Sequence, residues 1–473
     1  MRIEEDFIGK VKVPSEAYYG SFTARAAGNF TLSGTPVNME LIRAVALIKK
    51  CAAIANRELG TIEPKISDAI VKASDEVIGG KMDSQFILDA FQAGAGTPLH
   101  MNVNEVIANR AEEILGGKRG EYRFVHPNNH VNLSQSSNNV VPSAIKIASM
   151  RLCAKTIAQA RLLKASFEKK AGGCKGVMKI GRTHLQDAVP MTYAQAFLAY
   201  SRAIEKDMES LEKALQGIRE IGVGGTAIGS GILAHPKFRE RVTELIRKEG
   251  GVDVRMAKDG IEITQDMNDF LELSGALRRY AVTLSRIAND FRLLASGPKA
   301  GIAEIILPEV EPGSSIMPGK INPSIPEAVN MACFQAMAND QGVLLAAQSG
   351  QLELNFATPI IAYDIFQSAG LLEKASAMFR EHCIDGMKVD EKRTKENFDR
   401  SFGYATALNP YLGYKEVSLL VKEAYAKNLS LRELIVQKGI MSSGDLEKVI
   451  SSAIGPAETD KAILARLKKK WSK

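Results

Sequence analysis

The sequence predicts a mainly α-helical protein whose centre is a bundle of long helices. Apolar residues recur at helical spacing over stretches well beyond the usual helix length of about 11 residues. The stretches end at glycine and proline, and none carries a sustained heptad repeat, so packing into a bundle is expected rather than a coiled coil. A chain of 473 residues also exceeds what one core can organise, and about three domains are expected.

Residues 1–137 are punctuated by Gly20, Pro36, Gly79-Gly80, Gly94, Gly96 and Pro127. They read as a mixed domain of shorter helices with possible strand pairs. The central domain, 138–393, opens with a helix over Ser143–Lys170, whose apolar stripe is Ile145, Ala148, Leu152, Ile157 and Leu162. A second helix spans Thr192–Ile221, starting after Pro190 and closing into Gly222, Gly224 and Gly225. A third spans Ile261–Ser296 and stops at Gly297-Pro298. A fourth runs from Pro326 to Gln348 with Ser324 as its cap, and a fifth covers about Ile361–Asp385. Residues 394–473 form a small helical domain, with helices at Tyr414–Lys427, Ser430–Lys438 and Ser443–Ser452. Helices of this length expose broad apolar faces, so an oligomer built by bundle-on-bundle packing is expected.

Bulk composition excludes several classes. Hydrophobic content of 45% with 24% charged residues describes a soluble globular chain. The 61 basic and 54 acidic side chains leave only +7, so neither nucleic acid nor a membrane is an expected partner. The run Lys468-Lys469-Lys470-Trp471-Ser472-Lys473 reads as a solvated, frayed tail. No apolar run approaches the ~18 residues of a membrane span, and Met1–Asp6 lacks the apolar stretch of a leader. Five separated cysteines without a C-x-x-C pair point to free thiols and a cytoplasmic location. Six scattered histidines offer no metal-ligand set. Gly222-Val223-Gly224-Gly225-Thr226-Ala227 matches a loose dinucleotide fingerprint, but it follows a helix outside any βαβ pattern and reads as a helix-ending turn.

Chemistry concentrates in four polar clusters, each expected in a loop beside a long helix. The richest is Gly313-Ser314-Ser315-Ile316-Met317-Pro318-Gly319-Lys320-Ile321-Asn322-Pro323, where two hydroxyls, an ammonium and a carboxamide share a segment that cannot be helix or strand. Such groups can hold a carboxylate and take a proton beside it. The others are Gly94-Ala95-Gly96-Thr97 ahead of Asn102 and Asn104, Gln135-Ser136-Ser137-Asn138, and Gly181-Arg182-Thr183-His184-Leu185-Gln186-Asp187. Ser136, Ser137 and Asn138 also suit helix caps, and a lone His184 also suits a buried, satisfied histidine. Together, neutral donors with one cation fit a ligand bearing two carboxylates.

GSSIMPGKINP, with GRTHLQDAVPMT, HPNNHVNLSQSSNN, GAGTPLHMNVNEV and the opening RIEEDFIGKVKVPSEAYYG, resembles the aspartase/fumarase superfamily nearly end to end. SGQLELN and ALNPYLGY, with the tail beyond, resemble its aspartate ammonia-lyases more than its class II fumarases. The resemblance implies reversible elimination of ammonia from L-aspartate to give fumarate. Fumarate hydration and a catalytically silent scaffold remain the alternatives. It also implies no organic cofactor and a homotetramer with a twenty-helix core, each site being shared by three subunits.

Ser314 then resembles the base that removes the Cβ proton. Lys320, Asn322 and Ser315 resemble ligands of the carboxylate beside that carbon, or of its partner. Thr97, Ser136, Ser137, Asn138, Thr183 and His184 resemble the remaining substrate contacts, and Glu327 a residue orienting His184 or a nearby water. The chain departs from the usual pattern at Asn129 and Asn139, where Asp is common, at Pro98, and at His100, near which Asn is common. Ser137 is the residue type of fumarases.

Overall fold

The computed structural model describes residues 1–456 and 458–471. The protein is mainly helical, as expected. It opens with an antiparallel hairpin, Arg2–Asp6 against Gly9–Val13, in register from Arg2↔Val13 to Asp6↔Gly9. The long helices are Ser137–Gly173, Tyr193–Gly217, Asn268–Leu294, Ser324–Gln348 and Thr358–Phe379. Contacts group the chain into two units, residues 1–159, 207–282 and 332–374 in one, and 160–206, 283–331 and 375–473 in the other.

Several boundaries differ from the pattern, each for a local reason. The third helix is broken. A short turn, Glu262–Gln265, precedes Asn268–Leu294 because Asp266 Oδ1 accepts from the Asn268 amide at 2.7 Å and starts a new helix. The second ends at Gly217, and Glu220–Ile221 pairs parallel with Arg255–Met256 across the Phe238–Gly250 helix. The fourth begins at Ser324 itself, with Pro326 in its first turn, where the missing N–H costs nothing. The fifth ends at Phe379 and passes into a π-helical turn, Arg380–Ile384. The basic tail expected to fray is helical from Lys461 to Trp471, and Ser472 and Lys473 lie outside the described residues.

In the first unit the Met39–Glu58 helix is buried along most of its length. Polar side chains inside the unit serve as caps. Glu105, 3% exposed, accepts from the amides of Gly20, Phe22 and Thr23 and from the Thr23 hydroxyl, which fixes the start of the Ser21–Asn29 helix. Glu112 does the same for the amides of Arg123, Phe124 and Val125. In the second unit Phe167, Phe197, Phe291 and Phe379 come from four of the long helices. They pack with ring centroids 5.5–6.5 Å apart, a spacing that adds about 0.5–1.5 kcal/mol per pair beyond area burial. The C-terminal helices close on their own core of Phe398, Tyr404, Leu420, Leu434, Leu446 and Ile463.

Another buried acid sits between two of the long helices. Asp364 on the Thr358–Phe379 helix lies against Gly342 of the Ser324–Gln348 helix, its carboxylate occupying the place where a Cβ at 342 would stand. Burial raises its carboxyl to about 7, so the folded protein holds this proton over a range where the unfolded chain has released it. Stability from this group is therefore greatest below about pH 4 and falls as pH rises towards 7. Asp364→Asn is expected to raise the melting temperature at pH 8 and leave it unchanged at pH 4. An equal shift at both values would show that titration is not the cause.

Candidate active site

Thr97 and Ser136–Asn138 lie in the first unit, and Thr183, His184, the 313–323 loop and Glu327 in the second. In the first unit the chain reaches the Thr97–Ile114 helix through a left-handed turn, with φ of 52° at Ala95 and 80° at Gly96. A left-handed alanine is costly and marks a backbone held for a purpose. The turn sets the Thr97 hydroxyl 2.6 Å from the Gly94 carbonyl and 2.9 Å from Ser137 Oγ. Ser137 begins the next long helix. Ser136 Oγ accepts from the Asn138 amide at 3.3 Å, and Asn138 Nδ2 donates to the Ala227 carbonyl at 2.7 Å. The capping role expected of these residues is thus partly realised. It also brings the amino ends of two helices together, where free amides favour an anion.

Ala227 belongs to the segment that matched a dinucleotide fingerprint. Its Gly225 amide donates to the Gly222 carbonyl at 3.0 Å, closing a turn. Contrary to expectation, a strand does precede it, but Glu220–Ile221 has two residues and the following helix begins only at Phe238. The glycines therefore do not run straight from a strand into a helix, as the fingerprint requires, although the amino end of the Phe238–Gly250 helix packs on Gly224.

In the second unit the expected 181–187 loop is instead the tip of an antiparallel hairpin, Met178–Thr183 with Gln186–Thr192. Thr183 pairs with Gln186, leaving His184 and Leu185 as the two turn residues, with φ of 55° and 61°. Two positive φ values match a hairpin's twist but normally call for Asn or Gly. That missing signal is why the hairpin is invisible in the sequence. Thr183 and His184 are exposed, so His184 is not the buried, satisfied histidine. The hairpin is anchored below by Arg182, whose Nη2 meets Glu304 Oε1 at 2.6 Å. Glu304, 0% exposed, also accepts from Tyr193 Oη at 2.8 Å and Asn397 Nδ2 at 3.1 Å. Burial alone would push the Glu304 carboxyl up, but these donors outweigh it and hold it below its ordinary range.

The 313–323 loop is irregular and folds back on itself. The Gly313 amide donates to the Lys320 carbonyl at 2.8 Å and Asn322 Nδ2 to the Gly313 carbonyl at 2.6 Å. A Cβ at 313 would stand 2.4 Å from the Lys320 carbonyl oxygen, so this close approach requires glycine. Inside the loop, Ser314 Oγ accepts from the amides of Ile316 and Met317 at 3.2 and 3.0 Å. Ser315 and Lys320 are exposed, as is Ile316 beside them at 84%. Glu327, just past the loop, faces Arg292 at 3.7 Å. Sequence reasoning missed Arg292, Glu304 and the buried Lys49, a polar break in the apolar stripe of the Met39–Glu58 helix.

A family profile described as lyase matches residues 9–338, and one described as fumarase C C-terminus matches residues 405–453. The chain belongs to the lyase family. An aspartate ammonia-lyase of Bacillus sp is 43% identical over 95% of this chain and 96% of its own. A class II fumarate hydratase of Neisseria meningitidis is 41% identical over 96% and 98%. Among solved structures, a fumarate lyase:delta crystallin from Brucella melitensis aligns with TM-score 0.93 at 42% identity, covering 96% of this chain and all of its own. A class II fumarase from Schistosoma mansoni aligns with TM-score 0.91 at 36% identity, covering 95% and 98%. This lyase-family chain thus carries the superfamily fold that its loops resemble. Among the described residues no helix is long and apolar enough to cross a membrane, and no group of three or more His, Cys, Asp or Glu side chains could hold a metal.

Proposed function

We propose that the protein eliminates ammonia from L-aspartate to give fumarate, reversibly, with Ser314 as the base. The observation that carries this is the pair of backbone amides aimed at Ser314 Oγ. They favour the oxyanion over the hydroxyl and make a serine basic enough to act. Ser314 takes the Cβ proton. The electron pair left on Cβ delocalises into the adjacent carboxylate, which becomes a dianion, then returns to form the double bond as the Cα–N bond breaks. Lys320, Asn322 and Ser315 supply preorganised donors for the carboxylates. Thr97, Ser136, Ser137, Asn138, Thr183 and His184 hold the rest of the substrate and the departing amine. Glu327 would orient His184, or a water near it.

The prevalence of aspartate ammonia-lyases among similar chains supports the choice of amine. Hydration of fumarate is the second reading, favoured by the Neisseria meningitidis relative and by Ser137. Of three proposed domains, 1–137, 138–393 and 394–473, the first two carry the site residues. The assembly proposed is a homotetramer in the cytoplasm, with each site drawn from three subunits. Met331 (64% exposed), Phe334 (56%) and Leu345 (58%) form an apolar stripe on the Ser324–Gln348 helix suited to burial against another copy. Purified protein given L-aspartate should develop the ultraviolet absorbance of fumarate, and L-malate should not. The reverse result would make it a fumarate hydratase, and silence with both would leave the scaffold reading.

A further inference from the structure

Lys49 is fully buried, 0% exposed, and its partners carry no carboxylate. From the Met39–Glu58 helix its Nζ reaches His100 Nε2 at 2.5 Å, Gln135 Oε1 at 2.9 Å and Asn132 Oδ1 at 3.0 Å. These partners are not scattered. His100 stands one turn beyond Thr97 on the Thr97–Ile114 helix, and Gln135 immediately precedes Ser136. His100 is 1% and Gln135 8% exposed. Gln135 is itself fixed, its Nε2 donating to the carbonyls of Val131 and Leu133 at 3.1 Å.

We infer that Lys49 is a positioning residue, tying the first turn of the Thr97–Ile114 helix to the turn before Ser136 and so setting Thr97 against Ser137. The His100 ring has its other nitrogen, Nδ1, buried and unpartnered, so the Lys49 contact is the one that orients the ring. Burying an amine without a counter-charge is costly. Burial alone pushes the Lys49 ammonium well below its ordinary range, while burial and then Lys49 lower His100. A packed core would be served better by an apolar side chain here. What the amine adds is three directional bonds to two segments that each end in a proposed substrate contact.

The inference rests on the proposed reading of Thr97 and Ser137 as substrate contacts. Which substrate is turned over is settled on the wild type first, so a wrong substrate is not mistaken for a failed inference. The test is a double-mutant cycle in the intact oligomer. Lys49→Met keeps the length and volume of the stem and removes the three bonds. His100→Leu cuts only the tie to the Thr97 helix, and replaces Lys49→Met if that variant does not fold. Each is expected to raise KM for the substrate about tenfold or more, equivalent to ~1.4 kcal/mol, with a smaller effect on kcat. If Lys49 and His100 act through the Thr97–Ser137 pair, their effect on KM should largely vanish in a Thr97→Ala background. An unchanged KM in both variants, or effects that simply add to that of Thr97→Ala, would overturn the inference and leave Lys49 a structural residue.

Discussion

Ser314→Ala is expected to lower kcat by about a thousandfold or more while leaving the fold intact. Only one hydroxyl is removed, from a loop that is open to solvent at Ser315 and Ile316. Its two donors, the Ile316 and Met317 amides, then find water, so stability should shift by less than about 0.5 kcal/mol. Turnover behaves differently because Ser314 is the loop hydroxyl at which two backbone amides are aimed. Lys320 is a donor when charged, and Asn322 Nδ2 is engaged with the Gly313 carbonyl. The loss should appear in kcat and kcat/KM together, the sign of an interaction made in the transition state. Steady-state assays beside a melting curve decide it. Retention of more than about a tenth of wild-type turnover, under ~1.4 kcal/mol of barrier, would remove Ser314 from the role of base.

Glu304→Ala is expected to produce the largest loss of stability, about 3 kcal/mol, because it strands a largely buried cation. Arg182 Nη1 already lacks a partner, and Nη2 would lose the carboxylate 2.6 Å away. Tyr193 Oη and Asn397 would lose an acceptor at the same time. Activity should fall too, since Arg182 lies on the strand that leads into the turn at His184 and its anchor sets the hairpin tip. The wild-type bond is present above the ordinary carboxylate range and is lost as pH falls through the lowered value for Glu304. The stability difference between variant and wild type should therefore narrow in acid. Chemical denaturation at neutral and acidic pH measures both effects. A change below about 1 kcal/mol at neutral pH would mean that the Arg182–Glu304 pair is not what holds the hairpin.

Much of this protein is readable from its sequence because the relevant physics is local. The long helices follow from apolar spacing, which depends on the 3.6-residue turn and nothing distant. The helix Ser443–Ser452 is observed at the span its pattern sets, with Ser442 Oγ accepting from the Asp445 amide at 3.1 Å. The 313–323 loop is equally plain, since two prolines and two glycines exclude regular structure. Errors appear where a non-local contact overrides a local preference. His184 and Leu185 form a hairpin turn without turn residues, which the strand pairing on either side and the Arg182–Glu304 anchor impose.

The sequence by itself determined the helical class and the resemblance to the aspartase/fumarase superfamily, and it singled out four polar segments as candidates for the chemistry. Tertiary structure alone decided which groups meet. Thr97 and Ser137 are 40 residues apart and share a hydrogen bond, Lys49 reaches Gln135 across 86, and Arg182 reaches Glu304 across 122. A local pattern specifies which face of a helix is buried, but not which polar atom waits on the other side. That is set when the core closes, and a buried polar group left without its partner costs more than the bond itself contributes.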